Sequence, residues 1–143
     1  MQIHHDWVGL PANARGATVA MGNFDGIHLG HRAVIDAARE ALDAPLGVIT
    51  FEPHPREFFA PDAPPFRLMN SESRANRLAR LGVEQLYELP FGPVLAGLSP
   101  EAFAREVLVD GLGVGHVTVG ADFCFGKKRA GNAATLAELG RHM

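Results

Sequence analysis

Two histidines at the end of a glycine-rich turn are the side chains in this sequence best suited to phosphate chemistry. His28 and His31 follow the pattern His-x-Gly-His, and their separation of three residues puts both on one side of a first helical turn. Each imidazole can donate a hydrogen bond to a phosphate oxygen, and a protonated imidazole does so with charge assistance. The pair predicts a site that binds a polyphosphate and stabilises the charge developed during phosphoryl or nucleotidyl transfer. The alternative interpretation is a glycine turn with two solvated histidines.

The segments on either side predict how this turn is held. The short apolar run at residues 17–21 indicates a strand, and apolar positions at helical spacing over residues 32–42 indicate a helix. Between them, Gly22, Gly26 and Gly30 allow backbone angles and close approaches that a side chain would block. A strand, a glycine-rich turn and a helix form the place where an α/β fold presents backbone N–H groups to phosphate.

Strands and helices alternate along the rest of the chain. Further strands are predicted at residues 46–51, 85–89 and 114–119, and Ile3 and Trp7 are candidates for a short edge strand. Helices are predicted at residues 71–81 with Ser71 as N-cap, at residues 99–111, and after Asn132, whereas residues 91–97 are predicted as a loop. The alternation predicts an α/β fold with a mostly parallel sheet, whose ligands bind beyond the carboxyl ends of the strands.

Two loops at the predicted ligand edge carry further candidate residues. The first, over residues 52–69, is rich in proline and contains several phenylalanines, starting directly after Phe51. Aromatic side chains on a proline-stiffened loop can form the wall of a site for a flat hydrophobic ligand; alternatively, they hold the loop against the core. The second loop contains Asp122, which can accept hydrogen bonds from a ribose or a base, hold Mg²⁺ through water, or stabilise a turn.

One predicted helix carries a regular series of cations. Arg74, Arg77 and Arg80 recur every three residues. Such a series can form a surface for phosphate or for a partner protein, but long cationic side chains more often cover a solvated helix face. We therefore predict that all three arginines face solvent.

The composition is that of a globular domain. The chain has 143 residues, of which 47% are hydrophobic and 20% are charged, enough for one domain with one buried core. The net charge of −3 and the lack of a basic run argue against nucleic acid as a partner. A single cysteine, Cys124, excludes an intrachain disulfide and fits a cytoplasmic location. No apolar run approaches the length needed to cross a membrane, and the first residues show no signal-peptide pattern.

Three stretches of the sequence together resemble those of bacterial FAD synthetases. They are Gly-Asn-Phe-Asp-Gly-Ile-His-Leu-Gly-His at residues 22–31, Thr-Phe-Glu-Pro-His-Pro-Arg at residues 50–56, and Val-Gly-Ala-Asp-Phe-Cys-Phe-Gly at residues 119–126. The resemblance is to the adenylyltransferase half of bifunctional riboflavin kinase/FMN adenylyltransferase, and it covers residues 18–132. It implies a Rossmann-like α/β/α nucleotidyltransferase fold and the reaction of ATP with FMN to give FAD and pyrophosphate, with Mg²⁺ accompanying ATP.

The resemblance also implies roles for individual residues. His28 and His31 would be catalytic and hold the triphosphate. The ATP site would use residues of the first and third motifs, namely Gly22, Asn23, Phe24, Asp25, Gly30 and Asp122. The flavin site would use the aromatic and proline positions Phe51, Pro53, Pro55, Phe59 and Phe125. No protein ligand to a metal is assigned, and Cys124 stands where the family often has arginine.

Two other functions are compatible with His-x-Gly-His alone: a non-catalytic nucleotide- or flavin-binding fragment, or a nucleotidyltransferase acting on another phosphate. The second and third motifs argue against the latter. In the family, a Ser/Thr-rich motif ending in arginine and then a kinase barrel follow this module. We therefore expect residues 1–143 to form an FMN adenylyltransferase domain that is incomplete at its C-terminus and has no kinase activity. We also expect an unpaired sheet edge that favours oligomers.

Overall fold

Five parallel strands form one sheet in the computed structural model, which describes residues 1–24, 29–60, 62, 70–120, 123–127 and 130–143. The strands are β1 (Gln2–His4), β2 (Thr18–Met21), β3 (Leu46–Glu52), β4 (Gln85–Pro90) and β5 (His116–Val119). Their spatial order is β1-β4-β3-β2-β5, and every described pairing is parallel. Met21 of β2 lies in register with Ile49 of β3 and with Val119 of β5. The segments that follow these strands therefore emerge at the same edge of the sheet.

The helices lie between the strands in chain order. They are α1 (Leu29–Ala41), α2 (Pro55–Phe59), α3 (Ser71–Arg80), α4 (Pro93–Ala96), α5 (Pro100–Ala102) and α6 (Ala133–His142). Helix α5 continues directly into a π-helical segment (Phe103–Gly111), and a 3₁₀ turn (Ala12–Ala14) precedes β2.

Both faces of the sheet are buried, because successive residues of a strand point to opposite sides. In β2, Val19 packs into one apolar cluster with Phe103 and Val107 of the π-helical segment. Its neighbour Ala20 packs into a second cluster with residues of α1 and α3. The α/β class, the parallel sheet and its two covered faces, as predicted from the sequence, are thus confirmed.

Two short helices lie where loops were predicted. In α2, Pro55 occupies the first position, where its missing N–H costs no hydrogen bond, and the Glu57 carboxylate accepts the backbone N–H of His54 at 3.1 Å. In α4, Pro93 likewise occupies the first helical position, directly after the N-cap residue Gly92. Both helices are a single turn or little more, and each begins at a proline, which is common in a first helical turn.

The predicted N-cap of α6 is confirmed, whereas the N-cap of α3 and the end of β1 differ from the prediction. The N-cap of α3 is Asn70, whose side chain accepts the N–H of Ser73 at 2.8 Å, whereas Ser71 is the first helical residue. Asn132 caps α6 as predicted, accepting the N–H of Thr135 at 3.0 Å. The edge strand β1 contains Ile3 but ends before Trp7.

Candidate active site

The ends of the parallel strands surround a cavity of about 480 Å³. Six phenylalanines line the cavity, and they come from five parts of the chain. Phe51 ends the buried part of β3, Phe59 ends α2, Phe91 follows β4, Phe103 starts the π-helical segment, and Phe123 and Phe125 follow β5. The polar and small residues in the cavity wall include Asn23, His54, Pro55 and Cys124. The cavity is a concave, largely aromatic site at the edge where an α/β sheet binds ligands.

Four of the five residues predicted for the flavin site line this cavity. Phe51 and Phe125 are buried, with Phe125 6% exposed, and Phe59 stands 67% exposed at the mouth. Pro55 lies in the wall at the start of α2. Pro53 is exposed and is not among the lining residues.

Phe91 joins α2 to the sheet and was missed by the sequence analysis. Its ring meets Phe51, Phe58 and Phe59 edge to face, with centroid separations of 5.9, 5.6 and 5.8 Å. Edge-to-face contacts at these separations are favourable because the ring edge is positive and the ring face negative. Phe91 therefore holds α2, which follows the Thr-Phe-Glu-Pro-His-Pro motif, against the end of β4. The sequence did offer one indication of its role, because Phe91 lies just after a predicted strand, at the edge where ligands bind.

Asn23 connects the nucleotide motif with the aromatic cavity. It follows β2 and lies in the cavity wall, although it was predicted for the ATP site. Its Oδ1 atom is buried and accepts no hydrogen bond from the part of the chain that the structure describes. A buried oxygen without a donor is costly, so Asn23 offers an acceptor to a bound molecule.

Phe24 shapes the turn through its backbone and not through an exposed ring. Its φ angle is +51°, in the left-handed region that a bulky residue rarely adopts, and its ring is buried. A Cβ atom on Gly22 would lie 3.2 Å from Cε2 of that ring, so glycine at this position leaves room for it. The Phe24 side chain thus belongs to the core beneath α1, where it packs with Ile35.

His31 lies in the first turn of α1, half-buried, and its imidazole makes a T-shaped contact with the Phe24 ring. Gly30 precedes it and is exposed. The N-terminal turn of a helix presents backbone N–H groups and a partial positive charge, which suits an anion. His28, Asp25 and Asp122, also predicted for the site, lie outside the described residues.

Arg74 is buried, and the prediction that it faces solvent is wrong. Its Nη2 atom lies 2.9 Å from Oε2 of Glu52 and 3.2 Å from Oε2 of Glu88, and its Nη1 atom donates to the backbone oxygen of Asn23 at 3.1 Å. Arg77 is exposed as predicted. The available signal was Glu88, a carboxylate inside an apolar strand, because a buried carboxylate requires a cation.

The described residues contain no group of three or more His, Cys, Asp or Glu side chains placed to hold a metal ion. Among the described helices, none combines the length and the apolar character that crossing a bilayer requires.

Comparison with known proteins assigns the chain to a family. The family model described as FAD synthetase matches residues 10–143. The bifunctional riboflavin kinase/FMN adenylyltransferase of Pseudomonas fluorescens is 41% identical over 143 residues, which are 98% of this chain and 46% of that protein. The protein of the same name from Bacillus subtilis is 37% identical, covering 85% of this chain and 40% of its own length.

A solved structure agrees in fold. The crystal structure of a protein described as a macrolide-efflux protein from Streptococcus pneumoniae superposes with a TM-score of 0.78 at 26% identity, covering 96% of this chain and 47% of that one. This chain spans less than half the length of the curated relatives it matches. The family match over nearly the whole sequence, on a parallel sheet with the motifs at its ligand edge, shows that the chain belongs to the FAD synthetase family.

Proposed function

We propose that this chain transfers AMP from ATP to FMN, giving FAD and pyrophosphate. The observation that carries the proposal is the position of Asn23. This residue follows β2 in the turn that leads to the His-x-Gly-His helix, and it also lines the aromatic cavity. A flat ring held in the cavity and an anion held at the start of α1 would therefore meet at one place.

The aromatic cavity suits the flavin half of the reaction. An isoalloxazine ring is flat and largely apolar, and phenylalanine rings contribute stacking and edge contacts to such a ligand. Phe51, Phe59 and Phe125 are the positions that we assign to it, and Pro55 closes one side. Phe91 and Phe123 extend the same wall, so we add them to the proposed flavin site.

The turn and the start of α1 suit the nucleotide half. A phosphate oxygen of FMN would attack the α-phosphorus of ATP, forming the new P–O bond as the bond to the leaving pyrophosphate breaks, so no protein nucleophile is required. His28 and His31 would hold the triphosphate and stabilise the charge on the transferred phosphate. Gly22, Asn23, Asp25, Gly30 and Asp122 would frame the nucleotide. Mg²⁺ would enter with ATP, bound mainly by phosphate oxygens and water.

The setting of the reaction also belongs to the proposal. Both substrates are small anions, so we propose no nucleic acid or membrane partner, and we place the reaction in the cytoplasm. The single cysteine, Cys124, is consistent with a reducing compartment.

FAD formation by the purified chain tests the proposal. The chain is incubated with FMN, ATP and Mg²⁺, and FAD and pyrophosphate are quantified in the same sample. We expect equal amounts of the two products, and none without ATP. The His31→Ala variant serves as the control for a contaminating enzyme, because a contaminant would be unaffected by it. Binding of FMN without any FAD would instead favour a non-catalytic flavin-binding module and contradict the proposal.

A further inference from the structure

One buried guanidinium connects the segments that carry the two halves of the proposed site. Arg74 projects from α3 and is fully buried. It contacts the backbone of Asn23, which follows β2, and the carboxylate of Glu52, which ends β3. Its third partner, Glu88 in β4, also accepts a hydrogen bond from the hydroxyl of Ser71. Three neighbouring strands are thereby tied to one side chain.

Two of the three contacts fall next to different parts of the proposed substrate site. Asn23 lies in the turn before α1, where the phosphates of ATP are proposed to bind. Glu52 directly precedes the Pro-His-Pro segment and α2, whose Pro55 and Phe59 line the aromatic cavity. The distances of 3.1 Å to Asn23 and 2.9 Å to Glu52 are those of ordinary hydrogen bonds to a charged donor. The guanidinium therefore fixes the spacing between the two segments.

This arrangement is not what stability alone favours. Burying the Arg74 guanidinium and the Glu88 carboxylate, with Glu52 part-buried beside them, carries a desolvation penalty that an apolar cluster of equal volume avoids. The Nε atom of Arg74 is also buried without an acceptor among the residues that the structure describes. A planar guanidinium, however, can donate hydrogen bonds to a carbonyl and to a carboxylate in fixed directions at the same time, whereas an ammonium cannot.

We propose that Arg74 is a positioning residue for adenylyl transfer: by holding the Asn23 carbonyl and the Glu52 carboxylate on one guanidinium, it sets the FMN phosphate in line with the α-phosphorus of ATP. The inference rests on the proposed function. It assigns Arg74 no contact with either substrate, so its effect passes through the turn at Asn23 and the start of the flavin wall.

Arg74→Lys separates this role from a structural one. A lysine ammonium keeps the positive charge between Glu52 and Glu88, so we expect the midpoint of urea unfolding to remain near that of the unmodified chain. The fork to the Asn23 carbonyl is lost, so kcat/KM for FAD formation falls on the order of 10- to 100-fold, mostly in kcat, because reacting groups displaced by about 1 Å react far more slowly. Arg77→Lys, on the exposed face of the same helix, is the matched control and changes neither property.

Glu52→Gln provides a second variant if the lysine variant is unstable. Glu52 is only part-buried, so its neutralisation perturbs the fold less than loss of the buried cation, and it removes the charged tie to the flavin wall. We expect kcat to fall while the urea midpoint holds, with exposed Glu72→Gln as control. The proposal is overturned if kcat/KM stays at the unmodified value in Arg74→Lys and Glu52→Gln, or if it falls only as far as stability does.

Amide hydrogen exchange tests the positioning role of Arg74 independently of whether the chain forms FAD. If the unmodified chain forms no FAD, the proposed function fails, and exchange is then compared in the segments around Asn23 and Glu52. Faster exchange in Arg74→Lys than in Arg77→Lys at both segments, at equal global stability, retains the positioning role. Unchanged exchange at both segments removes it.

Discussion

The imidazole of His31 lies edge to face against the ring of Phe24, with centroids 5.3 Å apart and planes inclined by 62°. Phe24 belongs to the turn after β2 and is itself fixed by burial beneath α1. A histidine of the helix is thus oriented by a residue of the glycine-rich turn, within the same motif. The direction of the imidazole depends on the conformation of the turn, including the positive φ of Phe24.

We expect His31→Ala and His28→Ala each to lower the turnover of FAD formation by on the order of a hundredfold, because each removes a donor to the charge developed on the phosphates. The measurement is a single-turnover assay with both substrates saturating. His116→Ala, an exposed histidine of β5, is the matched control. Near-unchanged rates in both variants would exclude the catalytic role of the pair.

Phe24→Leu tests whether the ring contact orients His31. Leucine keeps an apolar side chain in the buried position but offers no aromatic edge, so we expect a smaller fall in kcat than for His31→Ala. Combining the two substitutions shows whether they act together: if Phe24 works through His31, the double variant turns over no more slowly than His31→Ala alone. Additive losses would contradict an orienting role.

Substitutions of Phe59 and Phe125 distinguish an effect on flavin binding from an effect on the stability of the fold. Phe59 is 67% exposed but its ring contacts Phe58 and Phe91, so Phe59→Ala should lower the free energy of unfolding by about 1 kcal/mol. It should raise the KM for FMN between about two- and tenfold, the value of one aromatic contact. Buried Phe125→Ala should instead destabilise the fold by about 3–5 kcal/mol. Exposed Val8→Ala, outside the cavity wall, should affect neither quantity.

The fold could be predicted because its signals are local. The apolar run before Gly22 and the buried run ending at Phe51 each indicated a strand, and the alternation of strands and helices predicted a mostly parallel sheet. The motifs then had to meet at the carboxyl edge, as Asn23 and Phe125 do in the cavity wall. This edge can be located from sequence because the rule that ligands bind at the carboxyl ends of parallel strands depends on the order of strands and helices along the chain, and not on side-chain contacts.

The interactions between distant segments could not be predicted in the same way. Arg74 lies 51 positions from Asn23, and its spacing relative to Arg77 and Arg80 is that of an ordinary solvated face. Glu88 inside an apolar strand indicates that a buried cation is needed, and the three-dimensional arrangement shows that α3 supplies it as Arg74. Phe91 similarly became part of the cavity through tertiary contacts with α2.

Gly47 is required by packing between neighbouring strands of the sheet. A Cβ atom there would lie 2.9 Å from Cγ1 of Val19 and 3.1 Å from Cε2 of Tyr87, both buried. We expect Gly47→Ala to lower the free energy of unfolding by about 1–3 kcal/mol, measured by urea denaturation. The matched change Gly140→Ala, in α6 with nothing within 4 Å, should raise it by up to about 1 kcal/mol. Equal effects of the two changes would contradict this explanation.

The expected association through a sheet edge remains a prediction. Among the described strands, β5 pairs with β2 alone, so it forms one edge of the described sheet. Exposed edges favour pairing between molecules, and a lysine on an edge strand opposes it. We expect light scattering to show a mass that rises with protein concentration, and less so for His116→Lys on β5. His142→Lys, at the end of α6, is the control; a monomer at high concentration would refute the prediction.

Tyr87 should make the fold sensitive to alkaline pH. Burial raises the pKa of Tyr87 to about 12, an effect that the nearby Arg15 cation partly opposes, and the hydroxyl donates to the backbone oxygen of Ala14. Between pH 10 and 12 the unfolded chain has lost this proton while the native chain keeps it, so the free energy of unfolding falls as pH rises, by about 2 to 3 kcal/mol in total.

Because Tyr87 is the single tyrosine, its ionisation can be followed directly by ultraviolet absorbance of the native chain. Tyr87→Phe should lose about 1 kcal/mol of stability near pH 8 with the hydrogen bond to Ala14. Between pH 10 and 12 the variant should lose less stability than the unmodified chain, so the two unfolding curves converge or cross. A tyrosine that titrates near 10 in the native protein, or parallel curves across this range, would show that burial does not hold the proton.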